Sequence, residues 1–253
     1  MIRKTFAWLL VAGLAGAAVQ AQTADEIINK NIEARGGKDK IKALQSARMT
    51  GKLVMGQGME APFTIEVARP NKSRMEFTIQ GMTGVQAFDG KSGWSVMPFM
   101  GKKDPEAMSA DESKEMADRG DIDGVLVDYK DKGHTVEYVG KEDVEGTPAY
   151  HLKITKKNGD VVHSYIDTES YMEIKEAAKV KQRGQEIEGE TVFGDFKTVE
   201  GLVFPFSMEQ KAKGMPGGMT MTFSKVEINP KLEDSRFAMP AAEKKESPAP
   251  PKQ

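Results

Sequence analysis

The sequence predicts a mainly β (α+β) fold: a strongly curved antiparallel sheet forming an incomplete barrel of about 11–12 strands, with an N-terminal helix and a helical insertion able to cover its mouth. Three observations predict it. Apolar and polar residues alternate with period two over most of the chain, turn signals punctuate that alternation at strand-length intervals, and one stretch, residues 98–133, lacks it.

Arg3 and Lys4 precede an apolar run from Phe6 to Val19, and Val19-Gln20-Ala21 offers small side chains where a signal peptidase reads them. The run is shorter than the ~20 residues that cross a bilayer, so residues 1–21 are expected to be a cleaved leader rather than an anchor. Removing Arg3 and Lys4 takes the formal net charge from −2 to −4. No Cys stands at the cleavage point, so acylation there is excluded.

In the mature chain, Thr23 and Glu26 form a capping box ahead of Ile27, Ile28 and Ile32, which predicts an amphipathic helix ending at Gly36-Gly37. A short second helical piece through Ile41 and Leu44 follows. Phe63, Ile65 and Val67 then alternate with polar neighbours, as do Met75, Phe77 and Ile79, giving strands with one apolar face. Turns fall at Gly56 to Gly58, Pro70-Asn71, Asp89-Gly90 and Ser92-Gly93.

Ser109 with Glu112 predicts a short polar helix closed by Gly120. Ile122, Val125, Leu126 and Tyr129 fall at i, i+3, i+4 and i+7, the stripe of a second helix ending at Gly133, although Gly124 lies within it. Strands resume at 134–140, 149–156, 160–167, 171–179, 186–198, 202–211 and 219–228. The run from Ala241 onward is Pro-rich and charged, and 241–253 reads as a disordered tail after a single domain at 22–240.

The chemistry is limited by what is missing. There is no cysteine, hence no disulfide or thiolate site, and near-neutral charge gives no reason to expect nucleic-acid binding. No nucleophile elbow, His-Glu-x-x-His, P-loop or dinucleotide fingerprint occurs, so no catalytic residue and no metal site is assigned. A two-residue turn at Asn158-Gly159 pairs Ile154 with His163 and His151 with Ile166, which sends the two histidines to opposite faces and places His163 with Tyr150, Leu152 and Ile154 on the apolar one. His134, at the start of a strand, is expected to be exposed, and Asp121 and Asp123 read as a solvated helix face. Methionines crowd two places, Met208, Met215, Met219 and Met221 in the last strands and Met97, Met100, Met108 and Met116 around the insertion. They suit an adaptable apolar lining better than a Cu(I) thioether site. Two short helices are a thin filling for such a sheet, so a cavity lined by Phe63, Ile65, Met75, Phe77, Phe204, Phe206, Met208, Met221 and Phe223 is expected.

Several phrases resemble one family. EVARPNKSRMEF followed by QAFDGKSGWSV, EARGG at the end of the first helix, and later VEGTPAYHLKIT, YIDTESYMEIK and VEGLVFPFSMEQ are similar to the periplasmic LolA-like, outer-membrane lipoprotein-sorting proteins. The resemblance spans Thr23 to Pro240. It implies an incomplete barrel with a helical lid at 98–133 (Ile122, Val125, Leu126 and Tyr129 among its apolar residues), no enzymatic activity and no cofactor. It also implies a monomeric periplasmic carrier, whose cargo is a lipid or an acylated lipoprotein and which meets inner- or outer-membrane transport partners. The arginine of the Arg-Pro turn, here Arg69, is implied to hold the lid, while Trp94 is expected to pack. A lipid or envelope-stress sensor using the same barrel is the alternative, with Met-based copper binding behind it.

Overall fold

In the computed structural model the described residues are 22–56, 58–182, 185–212 and 217–241. The expected leader, Met215 and the tail beyond Ala241 lie outside them. Two helices come first, α1 (Ala24–Ala34) and α2 (Lys38–Ala43). The Thr23/Glu26 capping box opens α1 as expected. Six strands follow: β1 (Ser46–Met55), β2 (Met59–Ala68), β3 (Lys72–Ile79), β4 (Met82–Phe88), β5 (Gly93–Met97) and β6 (Lys102–Ala107). After α3 (Ala110–Arg119), opened by Ser109 and Glu112, come β7 (Thr135–Val144), β8 (Thr147–Thr155), β9 (Val161–Asp167), β10 (Glu173–Gln182), β11 (Gln185–Val199), β12 (Leu202–Ala212) and β13 (Met219–Ile228).

All the pairings are antiparallel, in the spatial order β6-β5-β4-β3-β2-β1-β13-β12-β11-β10-β9-β8-β7. The sheet is not closed. The chain meanders outward from β1 to one edge, β6, and then must reach the opposite edge, β7, before meandering back to pair β13 with β1. Residues 108–134 make that traverse. Because both of its ends are tied to sheet edges, the connection runs over one face of the curved sheet, and its contacts show which face.

That face is apolar from β7 across to β3. Leu152, Ile154, Val162, Ile166 and Leu202 pack with α1, α2, Leu126 and Val127 in one cluster. Leu53, Ala61, Phe63, Met75, Phe206, Met221, Phe223 and Val226 form the second, with Ile65, Phe77, Met208 and Phe204 against it. Phe63 meets Phe223 edge to face at 5.3 Å between ring centroids. Gly51 makes room for them: a Cβ there would lie 2.1 Å from Thr222 O and 3.0 Å from Phe63, at a bulge between Thr50 and Gly51. Trp94 is buried and its indole N–H donates to Phe237 O at 2.8 Å. The strand residues of the opposite face, Arg48, Glu66, Arg74 and Trp94, are thus covered by the carboxyl-terminal segment, where Arg236 and Arg48 both bond Glu66.

Four expectations need correction. The insertion is less helical than its capping box and stripe suggest, since 98–133 contains β6, a 3-10 turn at Pro98–Met100 and only one α-helix. The thirteenth strand is therefore β6, a charged KKDPEA edge whose lack of alternation suits an unpaired rim, where charges and Pro discourage further pairing. Residues 122–132 form successive turns rather than a helix, because Gly124 (φ 80°) and Asp128 (φ 53°) reverse the backbone twice. Asp123 is not on a solvated face but buried, at 4% exposure.

The histidine assignment is also reversed. The β8–β9 loop is longer than two residues, Thr155 pairs with Val161, and the register moves by one, so His151 and His163 share a face away from Leu152 and Ile154. His151 Nε2 and His163 Nδ1 are 2.7 Å apart and Glu142 Oε1 is 2.6 Å from His151 Nδ1. Among the described residues no group of three His, Asp or Glu side chains is arranged to hold a metal. His134 precedes β7 and is half-buried, its Nδ1 accepting from Lys157 N.

Candidate functional site

Arg69 directly follows β2, at a cis peptide bond to Pro70, and its guanidinium reaches under α2. Nε donates to Leu44 O at 2.8 Å, just past α2, and Nη2 to Ile41 O at 3.2 Å, a carbonyl of the last turn that also accepts from Leu44 N. Nη1 donates to Asp123 Oδ2 at 3.2 Å and Nη2 pairs with Asp123 Oδ1, a bidentate fork. The arginine thereby ties the traverse to the sheet and to α2 at once.

Further charges extend this tie. Lys42 Nζ reaches Asp123 Oδ2 at 3.0 Å and Asp128 Oδ2 at 2.7 Å, while Lys38 holds the other Asp128 oxygen at 2.5 Å. Lys132 donates to Asp121 and to Gly124 O, and Tyr129 OH donates to Asp25 Oδ1 at 2.6 Å. Beneath the charges, Leu126 and Val127 are buried, with Ile122, Val125 and Tyr129 partly so against the same cluster. Thus the four apolar insertion residues named from the sequence face the core together, although turns rather than a helix present them.

α3 covers the other half of the apolar face. Ser73, which shares a strand face with Met75 and Phe77, donates to Met116 O at 2.7 Å, and Met116 is buried. From its far side Asp118 reaches Lys156 at 2.9 Å and Lys114 pairs with Asp160, both on the β8–β9 turn. The helix therefore bridges from β3–β5 to the opposing half of the sheet. Those two pairs are exposed and each contributes under about 1 kcal/mol.

Burial pushes the Asp123 carboxyl up, but the hydrogen bonds from Arg69 and Lys42 more than reverse this and leave it below the ordinary value. Hydrogen bonds from Lys38 and Lys42 bring Asp128 down to about 2. Carboxylates held low stabilise the docked segment above their unfolded value of roughly 3.9, and that contribution is lost as pH falls through the folded one. Docking of 121–132 is therefore expected to persist at pH 5 and to loosen between about pH 4 and 2. Binding of an apolar fluorophore across that range checks this, and Asp128→Asn should weaken docking already at pH 6.

A cavity of about 200 Å³ lies between the helices, the traverse and β10–β12, lined by Leu44, Ile122, Leu126, Phe193, Phe196 and Phe204 among others. Of the nine cavity residues expected from sequence, Phe204 lines this one; the other eight gather in the second apolar cluster or against it. Two ionisable groups that sequence reasoning passed over, Arg35 and Glu173, line it too. Arg35 falls in EARGG and Glu173 in YIDTESYMEIK, and neither phrase carries a signal that its residue faces inward. Burial, then the neighbouring Glu176, push the Glu173 carboxyl up to about 7, against opposing contributions from Ser164 and Arg35. Its protonated form thus stabilises the fold below the unfolded value of roughly 4.3, and that stability is lost as pH rises through about 7. Thermal melts should show the wild type losing stability from pH 5 to 8 more steeply than Glu173→Gln does.

An open, curved antiparallel sheet whose apolar face is crossed by a charged, helix-bearing connection defines a half-barrel with a covered interior. No family model matches the sequence, and no curated protein matches it. Solved structures do share the fold. A LolA superfamily protein from Nitrosomonas europaea aligns with a TM-score of 0.56 at 14% identity over 86% of this chain and 98% of that one. A DUF1329 family protein from Desulfovibrio piger gives 0.59 at 10% identity, over 85% and 96%. An outer membrane lipoprotein-sorting protein domain from Vibrio parahaemolyticus gives 0.54 at 12%, over 83% and 97%. The LolA-like resemblance read from the sequence therefore holds at the level of fold.

Proposed function

We propose that this chain is a periplasmic carrier that binds the acyl chains of lipoproteins or other lipids against the apolar face of its sheet, with residues 108–133 as the gate. One observation carries the reading most strongly: the connection from β6 to β7, at opposite sheet edges, crosses that face and is fastened there by Arg69 and Asp123. A hydrophobic seal alone would be costly to lift, whereas an ion-paired tie can exchange partners with water once it opens. The gate requires no cofactor and no catalytic step, and the leader at 1–21 would deliver the protein to its compartment. The proteins named above as lipoprotein-sorting or LolA superfamily members support the reading by fold.

Native mass spectrometry of the protein purified from periplasm tests it. Adducts at lipid masses, released by detergent, are expected. A clean apo mass, together with no uptake of lipid from vesicles, would overturn the carrier role.

A further inference from the structure

The cavity beside α1 is not purely apolar, and its polar groups are placed with some care. Arg35 follows the last turn of α1, and Gly36 lets that helix end abut the β11–β12 turn. Gly36 has φ 117°, and a Cβ there would lie 2.3 Å from Gly201 O. Val203 N donates to Arg35 O at 3.0 Å, which fixes the arginine backbone against β12. Its side chain then runs into the cavity, held by one hydrogen bond from Nη2 to Asp123 O at 3.1 Å. Among the described residues this is the guanidinium's only hydrogen bond, so most of its five N–H donors have no protein acceptor.

Arg35 is half-buried and no donor of it is both buried and unpaired, so the free donors open onto the cavity and can take an acceptor that enters it. The nearby Asp123 carboxylate is already engaged by Arg69 and Lys42. Glu173, the carboxyl lining the same cavity, accepts from Ser164 and makes no ion pair with Arg35. Burial lowers the affinity of Arg35 for its proton, against the pull of the Glu173, Asp123 and Asp121 carboxylates nearby, while burial also favours the proton on Glu173. Among the described residues lining the cavity, Arg35 is the one cation.

We propose, on the carrier reading above, that Arg35 binds the acidic head of an anionic amphiphile, a long-chain carboxylate, whose chain passes Phe204 into the second apolar cluster. A single planar guanidinium matches a carboxylate in two parallel hydrogen bonds. The cavity, at about 200 Å³, exceeds the roughly 150 Å³ that holds a benzene but falls short of the 300 Å³ and upward typical of a whole ligand. It therefore suits the head end, and the chain must leave it. Phe204 marks the way, because it lines the cavity and also packs against the cluster of Phe206 and Met221.

The test compares cis-parinaric acid, a fluorescent long-chain carboxylic acid, with its methyl ester by titration into the full-length mature protein. The acid should bind at least about tenfold more tightly than the ester, as charge-assisted hydrogen bonds imply. Arg35→Gln should reduce that preference to near unity, and Arg35→Lys should keep part of it. Equal binding of acid and ester by the wild type would overturn the head site but leave the carrier reading standing. Binding of neither would overturn both, and the wild-type comparison decides the matter even if a variant fails to fold.

Discussion

Replacing Arg69 by Leu is expected to free the traverse. The substitution leaves Asp123, 4% exposed, with Lys42 as its remaining cation and removes the side-chain donor to Leu44 O and one of the two donors to Ile41 O at the end of α2. Breaking a buried pair typically costs roughly 3 to 5 kcal/mol; with Lys42 still in place, about 2 to 3 kcal/mol is expected here. Hydrogen exchange should show amides of 121–133 losing protection about 30- to 150-fold while the β8 and β9 amides keep theirs. Lipid uptake and transfer between vesicles should change with it. Arg69→Lys should recover little, since one ammonium cannot satisfy two carbonyls and a bidentate carboxylate. Unchanged exchange in the segment and unchanged transfer would remove Arg69 from the gate.

Phe237→Ala is expected to have the largest effect on stability. Phe237, in the carboxyl-terminal segment, is fully buried, and its carbonyl accepts from Trp94. Truncating a buried Phe costs about 3 to 5 kcal/mol through lost transfer energy and the cavity left behind. For a domain of this size the melting temperature should fall by roughly 10 °C. Trp8 lies in the expected leader, so Trp94 alone reports in the mature protein, and its emission should shift to the red as its site wets. Met239→Ala, 44% exposed nearby, should stay within about 0.5 kcal/mol of wild type. A melt unaltered by Phe237→Ala would mean that the segment does not anchor the outer face.

Much of the fold was legible because its signals are local. The Thr23/Glu26 and Ser109/Glu112 boxes satisfy helix amides within four residues, and alternation through Phe63 and Met75 reports a two-faced strand without reference to any neighbour. The readings that failed needed partners distant in sequence. Ile122, Val125, Leu126 and Tyr129 have helical spacing, yet each is drawn inward by α1 and the sheet, and Gly124 and Asp128 let turns achieve the same burial. β6 is an edge strand paired with β5 and shows no pattern of its own. The histidines turned on the length of one loop, where a single residue reverses every face.

The candidate site divides in the same way. The phrase ARPN marked Arg69 as a turn residue, and the family resemblance implied its contact with the traverse, but no sequence feature joined it to Asp123, 54 positions away. Nor did any feature bring Arg35 of α1 into one cavity with Glu173 of β10 and Phe204 of β12. By itself the sequence determined a curved, two-faced antiparallel sheet with capped helices, because backbone hydrogen bonding and side-chain periodicity act over short range. Only the tertiary structure decided that the sheet stays open with β6 and β7 at opposite edges. That order sends the connection between them across the apolar face, and it decides which charges meet there.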